Sequence, residues 1–315
     1  MTDQTTAPGA SAQAGEAPPS TEVAGFYNDL SGLLTELFGG SLHEGYWKSP
    51  DDPATMAEAS RQLTDLLTEK LELKPGDRVL DLGCGSGAPS IRLARTTGAR
   101  VVGITNSAVQ IEAAVRSARE AGLGDQVSFT CADATVLDFE ADSFNGVLMI
   151  ESIFHLPDRL GALREVARVL APGGRVALTD LLDRDPAPAP MEQAVGDLAE
   201  RSREYGRASL VAKPIPLEDY STLLEEAGLV LVERTDVTEH TVARTLDCLR
   251  QKLADDHEEL VRKYGSQVVA QYESVLPLLE KAGFGYGVVV AAAPEGPLAE
   301  RAEADGRSGR APMSS

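Results

Sequence analysis

Apolar and polar positions along this chain follow two rhythms. Short apolar runs at Val79–Leu82, Val101–Ile104, Val127–Cys131, Gly146–Ile150 and Val176–Thr179 have the length and bounding turns of buried strands. Between them, apolar residues recur at helical spacing over Ser90–Thr96, Ser107–Ala121 and Leu160–Leu170. In the last of these, Leu160, Leu163, Val166, Ala167 and Leu170 share one face, and Pro172-Gly173-Gly174 is expected to stop the helix. Strand and helix taking turns predict an α/β fold: a mostly parallel sheet with helices on both faces. Two helices come before it, Val23–Phe38 (Phe26, Leu30, Leu33, Leu34, Leu37) and Thr55–Leu71, and a turn at Pro75-Gly76-Asp77 leads into the first strand.

Beyond Asp183 the rhythm changes, because Pro186, Pro188 and Pro190 cannot lie in a helix interior. Helices are expected at Met191–Tyr205, Leu217–Ala227, Thr241–Tyr264 and Ser266–Lys281. Strands at Leu229–Val232 and Tyr286–Ala293 bring the sheet to seven. The chain then divides into a tail at 1–21, a helical lid at 22–74 and a core at 75–183. A region at 184–293 holds the last strands, with insertions at 184–216 and 236–283 as a helical cap, and a second tail covers 294–315. The amphipathic N-terminal helix suits a homodimer contact as well as a lid.

A length of 315 residues and 43% hydrophobic content allow one large domain, or one domain and a cap. The net charge of −20 excludes a nucleic-acid partner, which needs a basic face, and repels anionic substrates. A neutral or cationic small-molecule partner is expected. Residues 1–20 lack the basic and apolar regions of a signal peptide, and no apolar run reaches membrane-spanning length. The expected location is the cytoplasm. Cys84, Cys131 and Cys248 form no C-x-x-C pair and read as small buried thiols rather than metal ligands. Asp133, Asp180 and Asp183 lack metal-ligand spacing, so no metal is expected.

Candidate chemistry begins at Asp81-Leu82-Gly83-Cys84-Gly85-Ser86-Gly87, between the first strand and a helix. Gly83, Gly85 and Gly87 let the backbone approach a ligand, and Asp81 at the strand end can meet a cationic amine. Gly83, Gly85 and Ala88 also satisfy the dinucleotide fingerprint, but the second strand ends in Thr105-Asn106 without the acid that a nicotinamide cofactor's ribose wants.

Several stretches together resemble the class I S-adenosylmethionine-dependent methyltransferases with a Rossmann-like fold. The nearest likeness is to bacterial natural-product and sugar O-methyltransferases of the rebeccamycin and rifamycin type. Sarcosine/dimethylglycine methyltransferases and cyclopropane synthases are more distant. Asp81–Gly87 resembles motif I. Gly103-Ile104-Thr105-Asn106-Ser107-Ala108-Val109-Gln110 looks like a segment in which Thr105 and Gln110 replace the ribose-binding acid. In Cys131-Ala132-Asp133-Ala134 the aspartate would face the adenine amino group. Glu151-Ser152-Ile153-Phe154-His155-Leu156-Pro157-Asp158-Arg159 is close to the E-S-x-x-H-x-P-D-R segment of these enzymes. His43-Glu44-Gly45-Tyr46-Trp47 matches an element that closes over the methionine end of the cofactor, with Tyr27 helping; a packed aromatic corner is the competing reading for Tyr46 and Trp47. The resemblance implies S-adenosylmethionine bound by Asp81, Gly83, Gly85, Gly87, Thr105, Asn106, Gln110, Asp133, Ala134, Glu151 and Tyr46.

Methyl transfer to a hydroxyl needs a group to take the hydroxyl proton. Of His43, His155, His240 and His257, His155 stands next to the cofactor crevice and is the candidate base, with helix capping as its competing role. Asp180, ending the fifth strand, could orient it or bind the acceptor. His43 could stand near the cofactor carboxylate, while His240 and His257 read as solvated. The expected reaction is O-methylation of a polyketide or glycoside. N- or C-methylation remains open, as does a cyclase of this fold that uses the cofactor as structure.

Overall fold

The computed structural model describes residues 32–156, 158–184 and 213–296. Its strands are β1 (Arg78–Leu82), β2 (Arg100–Thr105), β3 (Val127–Cys131), β4 (Phe144–Met149), β5 (Leu170–Leu182), β6 (Val230–Asp236) and β7 (Gly285–Ala292). They form a seven-stranded sheet in the order β3-β2-β1-β4-β5-β7-β6. The first five strands are parallel, and β7 runs antiparallel to both β5 and β6. The order reverses at β1, which is flanked by β2 and β4, and in open α/β sheets the carboxyl end at such a reversal is where ligands bind.

Helices α1 (Met56–Lys70), α2 (Ala88–Thr97), α3 (Ala108–Glu120), α4 (Arg159–Val169) and α5 (Tyr220–Glu226) accompany this sheet. Their starts follow the sequence. Thr55 and Glu58 form a reciprocal capping box on α1, Ser107 caps α3, and Asp158 caps α4 by accepting from the Gly161 N–H at 2.8 Å. One core on the sheet combines Leu80, Leu82, Val147, Met149, Leu163, Val166 and Tyr220. Another takes Leu63 and Leu67 of α1 with Val79, Leu93, Leu148 and Val288.

A third cluster builds the upper layer. Leu33, Leu34 and Leu37, in the helical stretch 32–37, pack with Leu246, Leu249, Leu253, Leu260, Val269 and Leu276. The latter lie on α6 (Val242–Asp255), α7 (His257–Tyr264) and α8 (Ser266–Ala282).

Three local expectations change. The helix expected over Thr241–Tyr264 breaks at Asp256, a poor helix former that leads instead into α7 with Glu258 and Glu259 in the first turn. The stretch Pro172-Gly173-Gly174 lies inside β5, in a register shift between the Phe144 and Gly146 pairs, and α4 already ends at Val169. Only Cys84 is a buried thiol; Cys131 is exposed at the end of edge strand β3, and Cys248 is half-buried. Phe26, Tyr27, Leu30, the helix expected at 191–205 and both expected tails to residue 21 and from 297 lie outside the described residues.

Candidate active site

The turn leaving β1 is held in a conformation that favours glycine, with φ of +89° at Gly83, +52° at Gly85 and +85° at Gly87. The side space differs. A Cβ on Gly83 would stand 2.4 Å from Ser152 Cβ, and one on Gly87 2.6 Å from the Phe129 ring. At Gly85 the nearest atom is Leu42 Cδ1 at 3.4 Å. The outer two glycines are therefore required by packing, while the middle one has a single side-chain neighbour.

Asp81 is only 2% exposed, and its Oδ2 accepts a 2.5 Å hydrogen bond from the Ser90 hydroxyl on α2. Burial pushes its carboxyl up to about 7, against the pull of Ser90. No ion pair reaches it among the described residues. A buried acid of this kind gains most from a cation brought by a ligand.

The loops after β2 and β3 flank the turn. The Thr105 hydroxyl donates to Gln110 Oε1 at 2.7 Å, so these two buried side chains are held together, with Asn106 between them in the chain. Asp133 is exposed and accepts at Oδ1 from the N–H and hydroxyl of Thr135, which fixes a turn containing half-buried Ala134.

Residues 42–47 form a strap that ties four elements together. The Glu44 N–H donates to Glu151 Oε1 at 2.7 Å, and the Gly45 N–H to Thr245 Oγ1 on α6 at 3.1 Å. The N–H groups of Tyr46 and Trp47 donate to the carbonyls of Ala59 and His240. Trp47 is a packed corner: its indole N–H reaches the Ala54 carbonyl at 2.8 Å and the Arg244 guanidinium lies over its ring. Tyr46 is half-buried and stacks on His240, whose ring also bonds the Trp47 carbonyl, so His240 is a joint rather than a solvated side chain. His43 is buried beside Thr64 of α1, and desolvation lowers its pKa to about 4. His257 is exposed and bonds Glu273.

Glu151 follows β4 with φ +49°, an uncommon conformation for a non-glycine residue. Its Oε1 also accepts from the Tyr286 hydroxyl of β7 at 2.8 Å. His155 closes a short 3-10 turn, half-buried, with its ring centroid 4.4 Å from that of Phe154. The cap of α4 is Asp158, so His155 does not fill that role. Asp180 is fully buried and accepts from Arg159 Nε at 3.2 Å, from the Tyr220 hydroxyl at 2.7 Å and from its neighbour's N–H. Burial raises its pKa, while the Arg159 charge pulls it down.

Sequence reasoning missed Ser90, Glu44, Arg159, Tyr220 and Tyr286 as parts of the site. Glu44 and Arg159 lie inside the quoted segments, and their charge was the signal available. No group of three or more His, Cys, Asp or Glu that could hold a metal occurs among the described residues. No described helix is long and apolar enough to cross a membrane.

The sheet order, the glycine turn at its switch point and the acid beneath it are those of one enzyme class, and a methyltransferase-domain profile matches residues 79–174. The chain belongs to the class I S-adenosylmethionine-dependent methyltransferases. It is 42% identical to methyltransferase GfsG of Streptomyces halstedii over 226 residues, 70% of this chain and 77% of that one. It is also 42% identical over 224 residues to the 27-O-demethylrifamycin SV methyltransferase of Amycolatopsis mediterranei, covering 71% of this chain and 79% of the relative. Among solved structures, the [4+2]-cyclase SpnF matches with a TM-score of 0.75 at 31% identity, over 89% of this chain and 99% of that one.

Proposed function

We propose that the protein transfers a methyl group from S-adenosylmethionine to a hydroxyl of a small secondary metabolite, a polyketide or glycoside. The observation that carries this reading is the 42% identity, over 71% of the chain, to an enzyme named for an O-demethyl substrate. The residues present fit the cofactor: around Gly85 only Leu42 Cδ1 comes within 4 Å of the place a Cβ would take, and Asp81 is a buried acid with no ion-pair partner among the described residues. When bound, S-adenosylmethionine supplies a methyl carbon activated by a sulfonium. Asp81 and the glycine turn would hold its methionine end, Thr105, Asn106 and Gln110 its ribose, and Asp133 and Ala134 its adenine. Glu151 and Tyr46 close the site from β4 and from the strap.

His155 would take the acceptor's hydroxyl proton at a ring nitrogen, leaving the oxygen nucleophilic for the transfer. Asp180 assists through the backbone. It anchors Arg159, four residues beyond His155, and so fixes the turn that carries the base. The net charge of −20 favours a neutral or cationic acceptor.

The likeness to a [4+2]-cyclase over 89% of the chain favours a second reading, in which the cofactor is structural and the substrate is isomerised. Incubation with S-adenosylmethionine and hydroxylated polyketides or glycosides, read by product mass, separates the two. A product heavier by one methyl-for-hydrogen exchange supports transfer. An isomer of unchanged mass overturns it in favour of cyclisation.

A further inference from the structure

The strap and the end of β4 bring two carboxyl groups together where the fold gives them no cation. The Glu44 N–H is bonded to Glu151 Oε1, and the Tyr286 hydroxyl reaches the same oxygen. Glu44 Oε2 is buried and has no hydrogen-bond partner among the described residues. A second buried oxygen is in the same condition: Ser152, the residue after Glu151, is 6% exposed and its Oγ has no described partner. Ser152 lies next to the glycine turn, packed against Gly83, and Leu42, two residues before Glu44, meets Gly85. Buried oxygens left without partners are uncommon and costly unless something fills the place.

We propose that Glu44 and Glu151 form an acid pair that takes a cationic centre of the bound cofactor, with Glu44 Oε2 as the contacting atom. The inference rests on the proposed use of S-adenosylmethionine, whose cationic centres are an ammonium and a sulfonium. The groups facing the pair are Tyr286 from β7, Thr179 from β5 and Thr245 from α6, none of them cationic. Without a ligand the two acids cannot both ionise cheaply. Burial and their mutual repulsion push Glu44 up to about 8 against a hydrogen bond from Thr245, and burial pushes Glu151 up to about 7 against those from the Glu44 N–H and Tyr286. The pair alone therefore holds a proton near neutrality and releases it when a cation arrives.

The test compares wild-type protein with Glu44→Gln, which keeps the shape, and with Glu151→Gln as a second variant. Three ligands are titrated by calorimetry: S-adenosylmethionine with both cations, S-adenosylhomocysteine with the ammonium alone, and methylthioadenosine with neither. We expect Glu44→Gln to weaken the charged ligands about tenfold or more while methylthioadenosine changes less than about twofold. Loss for both charged ligands assigns the ammonium; loss for S-adenosylmethionine alone assigns the sulfonium. Proton release on binding, read in two buffers of different ionisation enthalpy near about pH 7.5, should shrink in both variants. Unchanged affinities, or equal loss for methylthioadenosine, overturn the proposal. A wild type that binds none of the three overturns the cofactor reading beneath it.

Discussion

Ser90 controls one proton, and in the proposed reaction His155 takes another. Ser90 gives its hydroxyl hydrogen to Asp81, whose carboxyl burial holds near 7. Without that bond the carboxyl rises further, so Ser90→Ala should move the midpoint of S-adenosylhomocysteine binding to higher pH and weaken binding several-fold near neutrality. Calorimetric titration across pH checks it, and an unmoved midpoint would reduce Ser90 to packing. His155 stands on a turn that does not need it as a cap, since Asp158 does that work. His155→Ala should cut turnover about 100-fold or more, the contribution of a general base, with cofactor affinity within about twofold. Equal loss of both would make it a binding residue. For an amine acceptor, whose lone pair needs little help, the variant would stay active.

At the scale of elements, Arg159, Asp180 and Tyr220 join α4, β5 and α5 beneath the site. The ion pair is buried, with the side chains 11% and 0% exposed. Arg159→Met leaves a buried carboxylate without its cation and should cost about 3–5 kcal/mol, measured by denaturant unfolding. Adding Asp180→Asn should restore part of it, and simple additivity of the two losses would deny the coupling. Seven strands and the glycine turn were legible because they are written locally, in apolar runs of a few residues and in alternating glycines. This strut was not, because Arg159 and Tyr220 reach Asp180 from 21 and 40 positions away. Glu44 meets Glu151 across 107. The break at Asp256 escaped for another reason: apolar spacing continues through Leu253 and Leu260 into the same cluster, so periodicity alone does not show the kink.

The whole molecule carries opposing proton linkages. Asp81 and Glu151 titrate near 7 and Glu44 near 8 when folded, against roughly 4 in an unfolded chain. The folded state thus binds the extra protons, and this stabilisation is whole below about pH 4 and lost as pH rises through 7 to 8. His43 works the other way. Its folded value of about 4 lies below the unfolded value near 6.5, so stability is lost as pH falls between them. Glu36 and Glu233, held down by Lys263 and Lys70, add to the loss in acid. Over about pH 5 to 6.5 the three acids outweigh the one histidine, so on these groups the ligand-free protein should be most stable at about pH 4 to 5 and its Tm should fall towards pH 8.5, about 2–4 °C for each kcal/mol lost. Thermal melts across pH decide this, and a Tm still rising above pH 7 would contradict the buried acids. Saturating S-adenosylhomocysteine should flatten the alkaline side.

The chain has a single tryptophan, and it sits 1% exposed in the joint between the strap and α6, with the Arg244 guanidinium 4.9 Å from its ring centroid. Its intrinsic fluorescence therefore comes from one known place. Any opening of the joint admits water to the indole and carries its cationic neighbour away, so both the wavelength and the yield of emission change. Mixing the protein rapidly with a cofactor would time the strap's response in unlabelled protein, from a lamp the sequence already carries.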